Sequence, residues 1–295
     1  MPARILAKIP VKTLSVIAVL ISILSVQAGA SFGKHLFPII GAEGTTALRQ
    51  VFSTLALLLF FQPWRGGPER KHWGIVALYG VILGVMNLTF YMGIARVPLG
   101  IGVAIEFLGP LAVAVFSSRR PSDFVWVACA LAGLVILLPW NGVGQALDMT
   151  GVFWCLIAGI CWGAYIIVGQ KVSDRVHGGK AVALGMLIST ILTLPIGMMH
   201  AGAMLWSPQI LPWGIAVAIL SSAIPYSFEM MALKHIPAKT FSLMMSLEPA
   251  AAALLAFVIL AEKLTLMQWL AIGLVIIASA GSSLTARRAV EEVAA

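Results

Sequence analysis

Charge is what this chain has least of. Only 10% of its 295 residues are Asp, Glu, Lys or Arg, against roughly a quarter in soluble domains, and that scarcity excludes an ordinary soluble enzyme. Cysteine is almost as rare. Cys129, Cys155 and Cys161 are odd in number, lie inside apolar runs and lack metal-ligand spacing, so they read as small buried hydrophobes. His35, His72, His177, His200 and His235 are scattered near loops or the ends of apolar runs, so neither a metal nor another cofactor is expected. Without a Walker-type glycine loop, ATP is not expected to drive the chain unless a partner supplies the site. No nucleophile elbow supports Ser/His/Asp hydrolysis.

What is present in excess is apolar sequence, 60% of all residues. The formal charge of +8 does not argue for nucleic acid, because the bases sit in short clusters between apolar runs, as cytoplasmic loops do. At about 20 apolar residues per membrane span, ten spans are expected, near 13–32, 46–61, 74–95, 100–117, 124–139, 151–169, 181–199, 211–233, 240–260 and 266–284. Arg4, Lys8 and Lys12 before an apolar run ending in Ala28-Gly29-Ala30 imitate a secretory signal. The run continues to Phe32 and further spans follow, so an uncleaved first helix is expected. With both termini cytoplasmic, fifteen bases fall inside and only Lys34, Arg96 and Lys263 outside, while Arg49 lies within the second span. That asymmetry fixes the orientation.

The segments 98–120 and 237–257 repeat one pattern, with Pro98 and Pro110 separated by 12 residues, as are Pro237 and Pro249. Pro98 precedes the fourth span on the outer side and Pro237 the ninth on the inner side. The expected fold is therefore an all-α polytopic membrane protein of two inverted five-helix repeats, 1–145 and 146–288, with a cytoplasmic tail at 289–295. Such a fold places a substrate near the midplane where the halves meet.

Three carboxylates fall inside spans. Glu106 has Gly102 and Gly109 on its face, and Pro110 cannot donate to its carbonyl. It either handles protons or a substrate ammonium, or pairs with Arg49 as structural glue; the two roles are compatible. Glu248 directly precedes Pro249, with Ser242 and Ser246 near it. Glu229 shares a helical face with Ser222 and Tyr226, but lies close enough to the cytoplasmic end to snorkel to water. In the third span Gly80, Gly84, Asn87 and Tyr91 form one small and polar stripe, which should face protein or a cavity. Arg49 carries Thr45 and Ser53 at four-residue spacing and serves either as an anchor to a carboxylate or as a grip on a substrate carboxylate. Trp162 and Tyr165 belong to packing or to an aromatic wall for an ammonium group. Pro110, Pro225 and Pro249 are the expected bending points.

These features resemble a family. The ten spans, the inverted halves and Glu248-Pro249 followed by Glu262 are similar to the EamA branch of the drug/metabolite transporter superfamily. Residues 29–41, 97–127, 225–233 and 245–252 resemble its amino-acid exporters most. The resemblance covers nearly the whole chain. It implies a multi-pass bacterial inner-membrane efflux transporter, not an enzyme, for small polar amino acids such as threonine and homoserine, driven by proton antiport. Its partners would be the amino acid, protons and the lipid bilayer, with no nucleic acid; the oligomeric state stays open. Two alternatives follow from other uses of the scaffold: an exporter of drugs or other metabolites, and a membrane enzyme or accessory subunit without a transport cycle.

Overall fold

Apolar sequence in lipid must satisfy its backbone internally, and helices do so within one segment. The structure, a computed structural model, describes residues 11–65, 67–116, 123–137, 147–173, 175–176, 178–225, 228, 244–245 and 247–293. Every regular element among them is helical, and four helices are long and apolar enough to cross a membrane.

The first, α1 (Val11–Phe61), is interrupted at Gly41, whose φ of 71° and ψ of 171° leave the helical region. Only glycine adopts that backbone cheaply. Gly33 and Arg49, eight residues to either side, both touch the Tyr91 ring, so the chain doubles back at Gly41. Sequence reading expects a connection at 33–45; instead the first arm stays helical through Lys34, His35 and Pro38. Its 30 residues (11–40) reach about 45 Å, longer than the roughly 30 Å hydrocarbon core of a bilayer.

Next come α2 (Trp73–Ile94), α3 (Leu99–Glu106) and α4 (Leu108–Phe116). The run expected as one span at 100–117 is thus divided at Phe107. Pro110 lacks the N–H that would close the helix onto the Glu106 carbonyl, and it sits in the first turn of the restarted helix, where proline is tolerated. Then follow α5 (Asp123–Leu137), α6 (Met149–Ser173), α7 (Gly178–Ala201) and α8 (Leu211–Ala218), which runs into a π turn at Ile219–Ala223. Finally α9 (Glu248–Leu260) begins at a carboxylate with Pro249 in its first turn, and α10 (Leu266–Val293) ends the described chain.

Packing relies on small residues, which let membrane helices approach closely. A Cβ at Gly109 would overlap the Gly159 carbonyl, and one at Gly159 would lie 2.8 Å from the Glu106 carbonyl oxygen, so α4 and α6 touch backbone to backbone. The carbonyl freed by Pro110 therefore faces a helix. An apolar cavity of about 460 Å³ lies alongside, lined by Ile105, Leu108, Ala112, Ile160 and Gly163 among others. Ile160 is exposed, so this space belongs to the outer, apolar surface rather than to the polar interior.

Candidate functional site

The second arm of α1 carries the residue most costly to bury. An arginine at mid-membrane costs at least about 2.5 kcal/mol on insertion scales, yet Arg49 is only 7% exposed. Its Nη2 donates to Asn87 Oδ1, its Nη1 donates to Ser221 Oγ at 3.3 Å, and its guanidinium lies 4.9 Å from the Tyr91 ring centroid. The stripe on α2 explains the first and last of these. Gly80 and Gly84 seat that helix on Gly185, Ile188 and Ser189 of α7, and Asn87 and Tyr91 then reach Arg49 one and two turns further on. Asn87 Nδ2 donates to the Leu83 carbonyl at 2.7 Å, which leaves Oδ1 as the atom presented to the guanidinium.

Ser221 comes from the π turn, and nothing in the sequence announces it. A π turn widens the helix and loosens its hydrogen-bond ladder, and it recurs at functional sites. Here Ser25 Oγ donates to the Leu220 carbonyl at 2.6 Å, and Ser222 accepts a 2.8 Å hydrogen bond from Ser53. The hydroxylated face expected on the second arm is accordingly divided. Ser53 reaches across to Ser222, while Thr45 donates back to the Gly41 carbonyl at 2.7 Å and steadies the kink.

Glu106 and Glu248 are 8% and 6% exposed. Each sits at its span's break: Glu106 is the last residue of α3 and Glu248 the first of α9, where the helix N-terminus favours negative charge. Glu106 interacts electrostatically with both Glu248 and Arg49. It forms no ion pair with Arg49, whose contacts among the described residues are Asn87, Ser221 and Tyr91. The glue reading of that pair thus has no direct contact behind it.

Trp162 and Tyr165 do not share a wall. Trp162 meets Phe107 edge-on at 5.4 Å, and Tyr165 stacks on Tyr79 at 5.0 Å with their hydroxyls 3.0 Å apart. Pro110, Pro225 and Pro249 all fall within or beside helical turns, Pro249 buried. Tyr226 and Glu229, and Ser242 and Ser246 beside Glu248, lie outside the described residues.

Sequence reading overlooked an ion pair beside the connection from α2 to α3. Lys34 Nζ lies 2.5 Å from Glu262 Oε1 and 3.2 Å from the Val97 carbonyl, while Glu262 Oε2 accepts from the Leu99 N–H at 2.8 Å. It also overlooked Gln27 and Ser31, buried polar residues on α1 whose neighbours in the sequence are apolar or small, and Gln50, buried beside Arg49.

With this geometry in view, comparison with known proteins is decisive. The chain is 50% identical over 283 residues to the threonine/homoserine exporter RhtA of Escherichia coli (strain K12), covering 96% of this chain and 95% of that protein. The chain belongs to the EamA-like transporter family. The model of that family matches residues 149–284. RhtA of Salmonella typhimurium (strain LT2) is likewise 50% identical, over 95% of both chains. A solved crystal structure superposes with a TM-score of 0.59 at 19% identity, across 94% of this chain and 98% of that one, a likeness of fold. The expectation of a membrane transporter rather than an enzyme agrees with these relatives.

Proposed function

We propose that this transporter exports threonine, homoserine and similar small polar amino acids across the bacterial inner membrane, by exchange for protons and alternating access of two inverted five-helix halves. The substrate class rests on the two exporters that are 50% identical over nearly the whole chain. The coupling rests on one observation: two buried carboxylates, Glu106 and Glu248, each at a proline-induced break and within electrostatic reach of one another. A proton and a substrate ammonium competing for such a carboxylate give antiport, since only one of the two cations can neutralise it at a time. Tyr226 and Glu229 are further candidates for this pathway.

Helix pairing supports the inverted repeat. If span i corresponds to span i+5, a pseudo-two-fold axis should pair spans two, four and five with spans seven, nine and ten. It should also make the contact of one with eight mirror that of three with six. The arm 42–61 packs on α7, α3 on α9, α5 on α10, the arm 11–40 on the π turn after α8, and α2 on α6. Gln50 and Ser189, hydrogen-bonded at 2.7 Å, are 139 positions apart. Pro98 and Pro237 have the same separation, as do Pro110 and Pro249. A residue that touches its own repeat mate marks the axis, and Arg49 is adjacent to it. The family match at 149–284 also supports a second repeat at 146–288 after a first at 1–145.

The test uses cells overloaded with threonine or homoserine. Glu106→Gln and Glu248→Gln, inserted at parental levels, are expected to lose most export. Export equal to the parent in both variants removes the proton-linked role.

A further inference from the structure

We infer that Arg49 is the seat of the substrate's carboxylate, and that the site takes a zwitterionic amino acid by that group and rejects the corresponding amine or amino alcohol. The inference rests on the reading of the chain as an amino-acid exporter. Five buried side-chain atoms among the described residues lack a hydrogen-bond partner: Gln27 Oε1, Ser31 Oγ, Arg49 Nε, Gln50 Nε2 and Tyr91 Oη. Four belong to α1 and the fifth to the ring that lies against Arg49. Native proteins leave few such atoms, and two of them, Arg49 Nε and Tyr91 Oη, belong to side chains that lie against one another, which asks for a missing partner there.

The chemistry of the cluster specifies that partner. Arg49 has five N–H donors; one meets Ser221, one meets Asn87, and Nε has none. Tyr91 covers one face of the guanidinium, which leaves its edge as the approach for a ligand. A planar carboxylate fits that edge with two parallel hydrogen bonds. Among the described residues no carboxylate lies at ion-pair distance from Arg49, and Glu106 acts on it only at longer range. Gln50 Oε1 accepts from Ser189, which leaves its Nε2 without a partner. Gln50 Nε2 and the Tyr91 hydroxyl remain as donors for a carboxylate or a substrate hydroxyl.

The experiment is counterflow of labelled homoserine in proteoliposomes containing the full chain, with unlabelled competitors. On the parent protein, L-threonine is expected to compete and L-threoninol, which differs only in carrying CH2OH for the carboxylate, to be at least about 100-fold weaker, because a site built for a charged group rejects the analogue without it. Arg49→Lys should raise the KM for homoserine about tenfold or more, since a point charge replaces the fork, and Arg49→Gln should abolish exchange. Threoninol competing within about threefold of threonine, or Arg49→Gln keeping the parental KM, overturns the inference while leaving the export reading in place. So does an Arg49→Ala protein whose lost expression is restored by Glu106→Gln, which would make the pair structural. If the parent exchanges neither amino acid, the export reading falls, and thermal stabilisation by the common amino acids against their amino alcohols judges the carboxylate site. Stabilisation by the acids alone sustains it; stabilisation by both or by neither overturns it.

Discussion

Lys34 and Arg49 are two cations on one helical hairpin, and they are held in opposite ways. Lys34 stands near the end of the first arm with its charge matched: Glu262 binds it, and the same carboxylate takes the Leu99 N–H, so α1, the start of α3 and the connection after α9 are tied at one point. Arg49 lies deeper and is held by neutral groups, an amide, a hydroxyl and a ring. The lysine has its anion built in. A protein keeps an arginine under the second condition when the anion arrives from outside, because a permanent carboxylate would compete with the ligand.

The sharpest way to break this comparison is to exchange the two kinds of cation. Arg49→Lys should lower export by at least about tenfold, whereas Lys34→Arg, which can still bridge Glu262 and Val97, should leave it near parental. Export rates in whole cells, normalised to inserted protein, decide between them. Equal losses would erase the distinction between a ligand-binding and a structural cation.

A smaller effect is expected at the Lys34–Glu262 tie. Lys34→Gln and Glu262→Gln should each lower thermal stability in detergent, and a double-mutant cycle should return a coupling of about 0.5–1.5 kcal/mol, reduced from that of a buried pair because both side chains keep some access to solvent. A coupling near zero would place Lys34 among ordinary surface charges.

The smallest effect belongs to Arg96 and Asp148, an exposed pair 2.9 Å apart at the entrance to α6. The hydrogen bond from Arg96 holds the Asp148 carboxyl below the usual range, followed by that from the Thr150 N–H. A depressed carboxylate stabilises the fold above its unfolded pKa and stops doing so as pH falls through the lower folded value. Asp148→Asn should therefore differ from the parent by a small amount that is constant between pH 7 and 5 and vanishes only in strong acid, as followed by melting curves across pH.

How much of the site was legible in sequence depended on periodicity. Asn87 and Tyr91 stand on a polar stripe at helical spacing, and that spacing brought both to Arg49. The place of Glu106 and Glu248 beside helix breaks was also readable, because Pro110 and Pro249 mark those breaks. Other parts left no pattern. The π turn departs from the 3.6-residue period that sequence reading assumes, so Ser221 could not be assigned to the Arg49 site. Gln27 and Ser31 are isolated polar residues without periodic partners, and Gln50 acquires its meaning only from Ser189, 139 residues away. Lys34 and Glu262 are 228 residues apart and had only the sidedness of their connections in common.

One contact described above constrains how the machine can move. Gly109 and Gly159 press α4 and α6 together with no side chains between them to act as a lubricating layer. Sliding one backbone along the other would drive carbonyl into Cα, so these two helices travel as a single strut. Glu106 rides at the head of that strut, its carbonyl braced on Gly159, and α9 is pressed onto the same assembly, because a Cβ at Gly100 of α3 would lie 2.7 Å from the Cα of Ala253. In the proposed export cycle the two carboxylates would therefore be carried together, and their like charges would stay within reach of one another throughout the stroke.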